Sequence, residues 1–102
     1  MAGRSSTRTV QAARQLGENL AAWRRLQNIS AAQLADRAGV SRPTLSKLEH
    51  GDLGVGLGVI MAVLSALGRL DAIVAATDPY ESDLGRIRSS ETVPKRVRGV
   101  RA

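Results

Sequence analysis

Residues 30–51, SAAQLADRAGVSRPTLSKLEHG, decide how this chain folds. Ser30 followed three residues later by Gln33 is a capping box, in which each side chain satisfies the other residue's backbone N–H at a helix start. Leu34, Ala35 and Ala38 line one side of that helix. Gly39 stands just past its last turn, where a left-handed backbone closes a helix without a Cβ clash. Val40 fills the corner and Ser41 caps a second helix. Pro43 falls in the first turn of that helix, where its missing N–H costs nothing. The second helix runs from about Arg42 to His50 and stops at Gly51.

At about 100° per residue, Arg42, Pro43, Ser46, Lys47 and His50 share one arc of this second helix, with Leu45, Leu48 and Glu49 on the other side. An ordinary surface helix is also amphipathic, so the stripe alone decides nothing. Two short helices, a tight turn and a polar front together make the helix-turn-helix layout, whose second helix enters the DNA major groove. On that reading Arg42 binds guanine bidentately and Lys47 reaches guanine or phosphate. Ser46 donates or accepts, and Pro43 touches a thymine methyl. Ser41 and Thr44 flank the stripe as phosphate ligands, and backbone N–H groups from Ser30 to Ala32 face a phosphate oxygen. His50 is a phosphate or solvent contact rather than a catalyst.

The rest of the chain narrows the class. It has 102 residues, enough for one small core, with no Phe and no Cys. A core of Leu, Ile, Val, Ala and Met suits a helical bundle, so the expected fold is all-α. Without cysteine there is no disulfide framework or thiol chemistry, which fits a reducing cytoplasm. With one histidine and no cysteine a zinc site lacks ligands. The run Gly54-x-Gly56-x-Gly58 follows a helix rather than a strand, so it is no dinucleotide fingerprint, and no phosphate-loop Gly-Lys-Ser/Thr occurs. No catalytic set assembles, and no enzyme activity, metal or cofactor is expected. The start, MAGRSSTRTVQAAR, has charge but no apolar centre and does not read as a secretory signal. The uncharged run from Leu53 to Gly68 is shorter than the ~20 residues that span a bilayer, so no membrane partner is expected.

The formal charge is +6, and its placement is uneven. Arg4, Arg8, Arg14, Arg24 and Arg25 oppose only Glu18 in residues 1–30. Residues 31–76 are balanced. Lys95, Arg96, Arg98 and Arg101 follow with no acid after residue 91. Basic ends either attract a nucleic acid or merely solubilise the chain. Exposed stacking aromatics of the kind RNA modules use are scarce, since Trp23 and Tyr80 are the only large aromatics.

Along the chain, residues 1–12 read as a disordered N-terminal arm. A first helix starts at Ala13, with Leu16, Leu20 and Trp23 on one apolar face, and Gln27-Asn28 breaks it. Residues 13–76 read as one helical domain that carries the helix-turn-helix and is expected to bind DNA. A fourth helix spans about Leu57 to Leu67 with Leu57, Ile60, Met61, Leu64 and Leu67 on its buried side. Residues 70–76 read as a helix, with a strand as the alternative. Asp71 and Asp78 are cap or solvent residues. Residues 77–102 form a C-terminal extension: a short helical stretch within Glu81–Ile87, then a mobile basic tail from Ser89.

The runs Leu-x-x-x-Leu-x-x-Trp-Arg, Ile-Ser-x-x-Gln-Leu-Ala, Ala-Gly-Val-Ser and Leu-Ser-x-Leu-Glu-x-Gly occur in this order between Leu16 and Leu70, over half of the chain. In them the sequence resembles the lambda repressor-like (Cro/C1, XRE-type) helix-turn-helix family. The resemblance implies a compact five-helix domain that binds a palindromic double-stranded DNA operator as a homodimer. It implies that Arg42, Pro43, Ser46 and Lys47 occupy base-reading positions. It also implies an ion pair between Arg24 of the first helix and Glu49 of the third, which steers an arginine toward the DNA backbone. Two unrelated surface charges are the alternative. Buried, the pair would cost about 3–5 kcal/mol to break, and exposed about 0–1 kcal/mol. One departure stands out: the family often places a phosphate-clamping Gln after the capping residue, and here Ala31 stands there.

The stretches Ala66–Asp71, Asp83–Arg86 and Val93–Arg98 are similar to the C-terminal region of HipB-like antitoxins. That similarity implies a HipA-like kinase toxin as partner and autoregulation of a shared operon in a bacterial cytoplasm. The alternatives are a phage-type repressor or a restriction–modification controller without a toxin, whose tail only strengthens DNA binding through counterion release.

Overall fold

A computed structural model of the chain describes residues 5–92. Among these residues the regular structure is entirely helical: α1 (Thr7–Leu26), α2 (Ala31–Ala38), α3 (Arg42–Glu49), α4 (Leu57–Ala66), α5 (Leu70–Ala76), a 3₁₀ turn at Pro79–Glu81 and α6 (Asp83–Thr92). The all-α expectation holds, and 70–76 is helix rather than strand.

The first helix corrects the expected N-terminal arm, because α1 starts at Thr7 and not at Ala13. Ser6 is the reason. Its Oγ accepts the Thr9 backbone N–H at 3.0 Å, satisfying one of the orphan donors that otherwise fray a helix start. Residues 7–12 carry little apolar periodicity because their side chains are mostly exposed, so the pattern does not report the helix they form. α1 ends at Leu26 with Gln27 as its C-cap, and Asn28 takes a left-handed φ of 59°. Ile29 then turns inward and is buried.

The chain divides into two compact units after Leu70. α5 supplies no buried residue. The first unit has a continuous core of Leu20, Ala21, Ile29, Leu34, Ala35, Leu45, Leu48, Val63, Leu64 and Leu67. α2 packs on α4 and α3, and α3 packs on α1. At its far end Gln27 Nε2 donates to the Leu67 carbonyl at 2.8 Å, tying the end of α1 to the end of α4.

Two apolar expectations fail. Leu57, assigned to the buried side of α4, is 69% exposed, because it opens the helix and the wheel cannot tell an end from a middle. Val63, which was not expected on that side, is fully buried. Trp23 lies at the rim of the core rather than inside it, and the Arg69 guanidinium sits 4.4 Å from its ring centroid, a cation–π contact.

The second unit begins at Asp71. Asp78 caps the 3₁₀ turn, accepting the Tyr80 N–H at 2.9 Å. α6 packs against that turn, and a Cβ on Gly85 would collide with the Pro79 carbonyl. α6 continues to Thr92, which corrects the tail expected from Ser89; Ser89 and Ser90 hydrogen-bond within the helix. The basic residues Lys95, Arg96, Arg98 and Arg101 lie outside the described residues.

Candidate nucleic-acid interface

The corner between α2 and α3 is built by local chemistry. The Ser30–Gln33 capping box closes in both directions: Ser30 Oγ accepts the Gln33 N–H at 3.1 Å, and the Ser30 N–H donates to Gln33 Oε1 at 2.8 Å. At the other end of α2, Gly39 adopts φ 71° and its N–H reaches back to the Ala35 and Asp36 carbonyls. The Val40 N–H donates to the Ala35 carbonyl at 3.0 Å. These bonds satisfy two of the helix-end carbonyls and turn the chain directly into α3.

Ser41 starts α3 by accepting the Thr44 N–H at 3.1 Å, and its hydroxyl donates to Thr44 Oγ1 at 2.8 Å. Leu45 and Leu48 anchor the helix in the core at 1% and 4% exposure. Arg42, Pro43, Ser46, Lys47 and His50 are all exposed. The structure thus brings the five together on one open face of α3. The arrangement presents two cations, a hydroxyl and two rings to whatever approaches.

The capping bonds refine the flanking residues. Ser41 spends its hydroxyl proton on Thr44, so Thr44, half-buried, is the one with an O–H left to donate outward. At the start of α2 the Ser30 N–H is already taken by Gln33, so the backbone donors that remain for an anion are those of Ala31 and Ala32. His50 Nδ1 lies 2.7 Å from the Ser46 carbonyl, which ties the ring to its own helix.

Arg24 and Glu49 form a two-pronged ion pair: Nε to Oε2 at 2.9 Å and Nη2 to Oε1 at 3.2 Å. Their side chains are only 15% and 11% exposed, so this is a nearly buried pair and not two stray surface charges. Arg24 Nη1 also donates to the Ile29 carbonyl at 3.3 Å. One guanidinium therefore ties together α1, the α1–α2 link and the end of α3. It sets the angle at which α3 is presented.

The apolar pattern of the first helix does not reveal the role of Gly17. A Cβ there would stand 2.5 Å from the Leu48 carbonyl oxygen and 2.6 Å from that of Glu49, so only glycine lets α1 close onto the end of α3. The signal was present: a glycine inside a helix costs about 0.5–1 kcal/mol against alanine, and its place there points to close backbone approach.

No helix among the described residues is long and apolar enough to cross a membrane. Against known families, the model described as Helix-turn-helix matches residues 20–72, just over half of the chain and including α2, the turn and α3. Neither the curated proteins nor the solved structures gave a match. The chain belongs to the lambda repressor-like, XRE-type helix-turn-helix family of DNA-binding transcription regulators.

Proposed function

We propose that this regulator is a repressor that binds a palindromic operator as a homodimer, with Arg42, Pro43, Ser46 and Lys47 reading base edges. One observation carries the reading. α3 buries its leucines and fixes Glu49 in an ion pair, yet leaves those four side chains exposed together. In a dimer the two α3 helices lie in successive major grooves, roughly 34 Å apart. Thr44 and the Ala31 and Ala32 N–H groups hold backbone phosphates, and Ser30 and Ser41 act through the caps. His50 contacts phosphate or solvent. The site uses no metal or cofactor and performs no catalysis.

The test is selection of binding sites from random duplexes. Arg42→Ala is expected to cost about 1–3 kcal/mol in operator binding and to relax preference at one base pair. If the selected sequence is the same for both proteins, α3 is not the reader.

We extend the reading to an autoregulating antitoxin working in a bacterial cytoplasm, on the similarity of Ala66–Asp71, Asp83–Arg86 and Val93–Arg98 to HipB-like chains. The family match ends at residue 72, so this step rests on those three stretches. Affinity purification from the native host tests it: a co-purifying HipA-like kinase supports the antitoxin. Recovery of operator DNA alone assigns a phage-type repressor or restriction–modification controller instead.

A further inference from the structure

Next to the exposed arc of α3, α1 and the end of α3 border an open cleft of about 450 Å³, lined by Arg14, Glu18, Ala21, Arg25, Glu49 and His50. The four α1 residues recur at helical spacing and form one stripe. Arg14, Glu18 and Arg25 are exposed, and none of their side chains makes a hydrogen bond or ion pair among the described residues. Glu49 differs, because Arg24 occupies both of its carboxylate oxygens. The cleft therefore offers two unpaired guanidiniums against one unpaired carboxylate.

Arg14 is held in place. A Cβ on Gly51 would come within 2.7 Å of the Arg14 Cα, so the α1 backbone there rests against the turn that ends α3. That turn follows His50, which both lines the cleft and ends the exposed arc. Cleft and reading face are thus continuous.

We propose that this cleft seats a stretch of phosphodiester backbone, with Arg14 and Arg25 on separate phosphates beside the groove that α3 reads. The spacing favours a polymer over a small anion: eleven residues of helix put the two Cα atoms ~16 Å apart. Each guanidinium offers a planar fork of donors matched to a phosphate. Such contacts add affinity and register without sequence preference. Glu18 lies between the two arginines and opposes any anion, so it holds the affinity down. The inference rests on the DNA-binding reading of α3 and adds a second contact surface to it.

The experiment uses the full chain and measures DNA affinity across a salt series, on the selected operator and on a random duplex. Arg14→Ala and Arg25→Ala are each expected to lower the salt slope by about 1 on both duplexes and to leave the selected sequence unchanged. Glu18→Gln is expected to tighten binding several-fold, an effect that altered helix stability does not mimic. Circular dichroism melts check that all three variants fold. Unchanged slopes in both arginine variants, or an unaltered affinity in Glu18→Gln, overturn the proposal. Inorganic phosphate that saturates the Arg14 and Arg25 signals in an NMR titration overturns the assignment to backbone and makes the cleft a small-anion site. Failure to select any operator would defeat the reading role of α3 alone, because the random duplex still reports on the cleft.

Discussion

Up to Leu70, apolar side chains from four helices meet and vanish from solvent; between residues 71 and 91, no side chain is buried. The second unit does not lack apolar residues. Val74, Tyr80, Leu84 and Ile87 are all large, and all are more than half exposed. What differs is what each helix turns toward its neighbour. α3 turns Leu45 and Leu48 inward and its polar arc outward. α6 sets Gly85 against the 3₁₀ turn and leaves Leu84 and Ile87 outside. Caps and short hydrogen bonds occur in both units, so they start helices without making a core. Short helices are marginal in water, and packing of an apolar face supplies most of their stability.

The contrast can be broken by one substitution made twice. Leu45→Ala should destabilise the chain by about 2–5 kcal/mol, since it removes buried methyl groups and leaves a cavity. Urea denaturation followed by circular dichroism measures it. A cost below ~1 kcal/mol would mean that α3 is not anchored as the core requires.

Glu49→Ala comes next, at about 3 kcal/mol, the lower end of the range for breaking a buried pair. Arg24 keeps its bond to the Ile29 carbonyl and can turn toward water, which limits the loss. The same variant should weaken operator binding beyond its effect on stability, because Arg24 sets the angle of α3. Parallel melting and DNA titration separate the two effects. The smallest effect is Leu84→Ala, expected within about 0.5 kcal/mol of the parent in the isolated chain, as for other exposed positions. A larger loss in the isolated chain would show that α6 is covered in solution and would erase the contrast between the units.

Legibility followed the same division. In α2 and α3 the residues that start, stop and turn each helix are near neighbours, so Ser30, Gln33, Gly39, Ser41 and Pro43 announce their roles in order. The start of α1 was less legible. Its signal is a single serine cap, Ser6, followed by residues that face water on most sides. Leu57 reads as buried because its hydropathy is that of a core residue, while its position at the first turn of α4 leaves it uncovered. The exposed polar arc of α3 is legible in the sequence because both periodicity and exposure belong to one helix. The α1 cleft is not, since Arg14 and Arg25 gain meaning only when Glu49 and His50 come beside them.

The sequence by itself determined the all-helical class, the limits of α2 and α3, and which side of α3 stays open. These depend on contacts between residues a few positions apart, where the chain's own geometry dictates who meets whom. Only the tertiary structure decided that Arg24 and Glu49 are a nearly buried pair, that Gly17 admits the end of α3, and that Trp23 rests under Arg69. Those pairings join residues some 25 to 46 positions apart along the chain. Periodicity carries no information about such encounters until the core has brought the helices together.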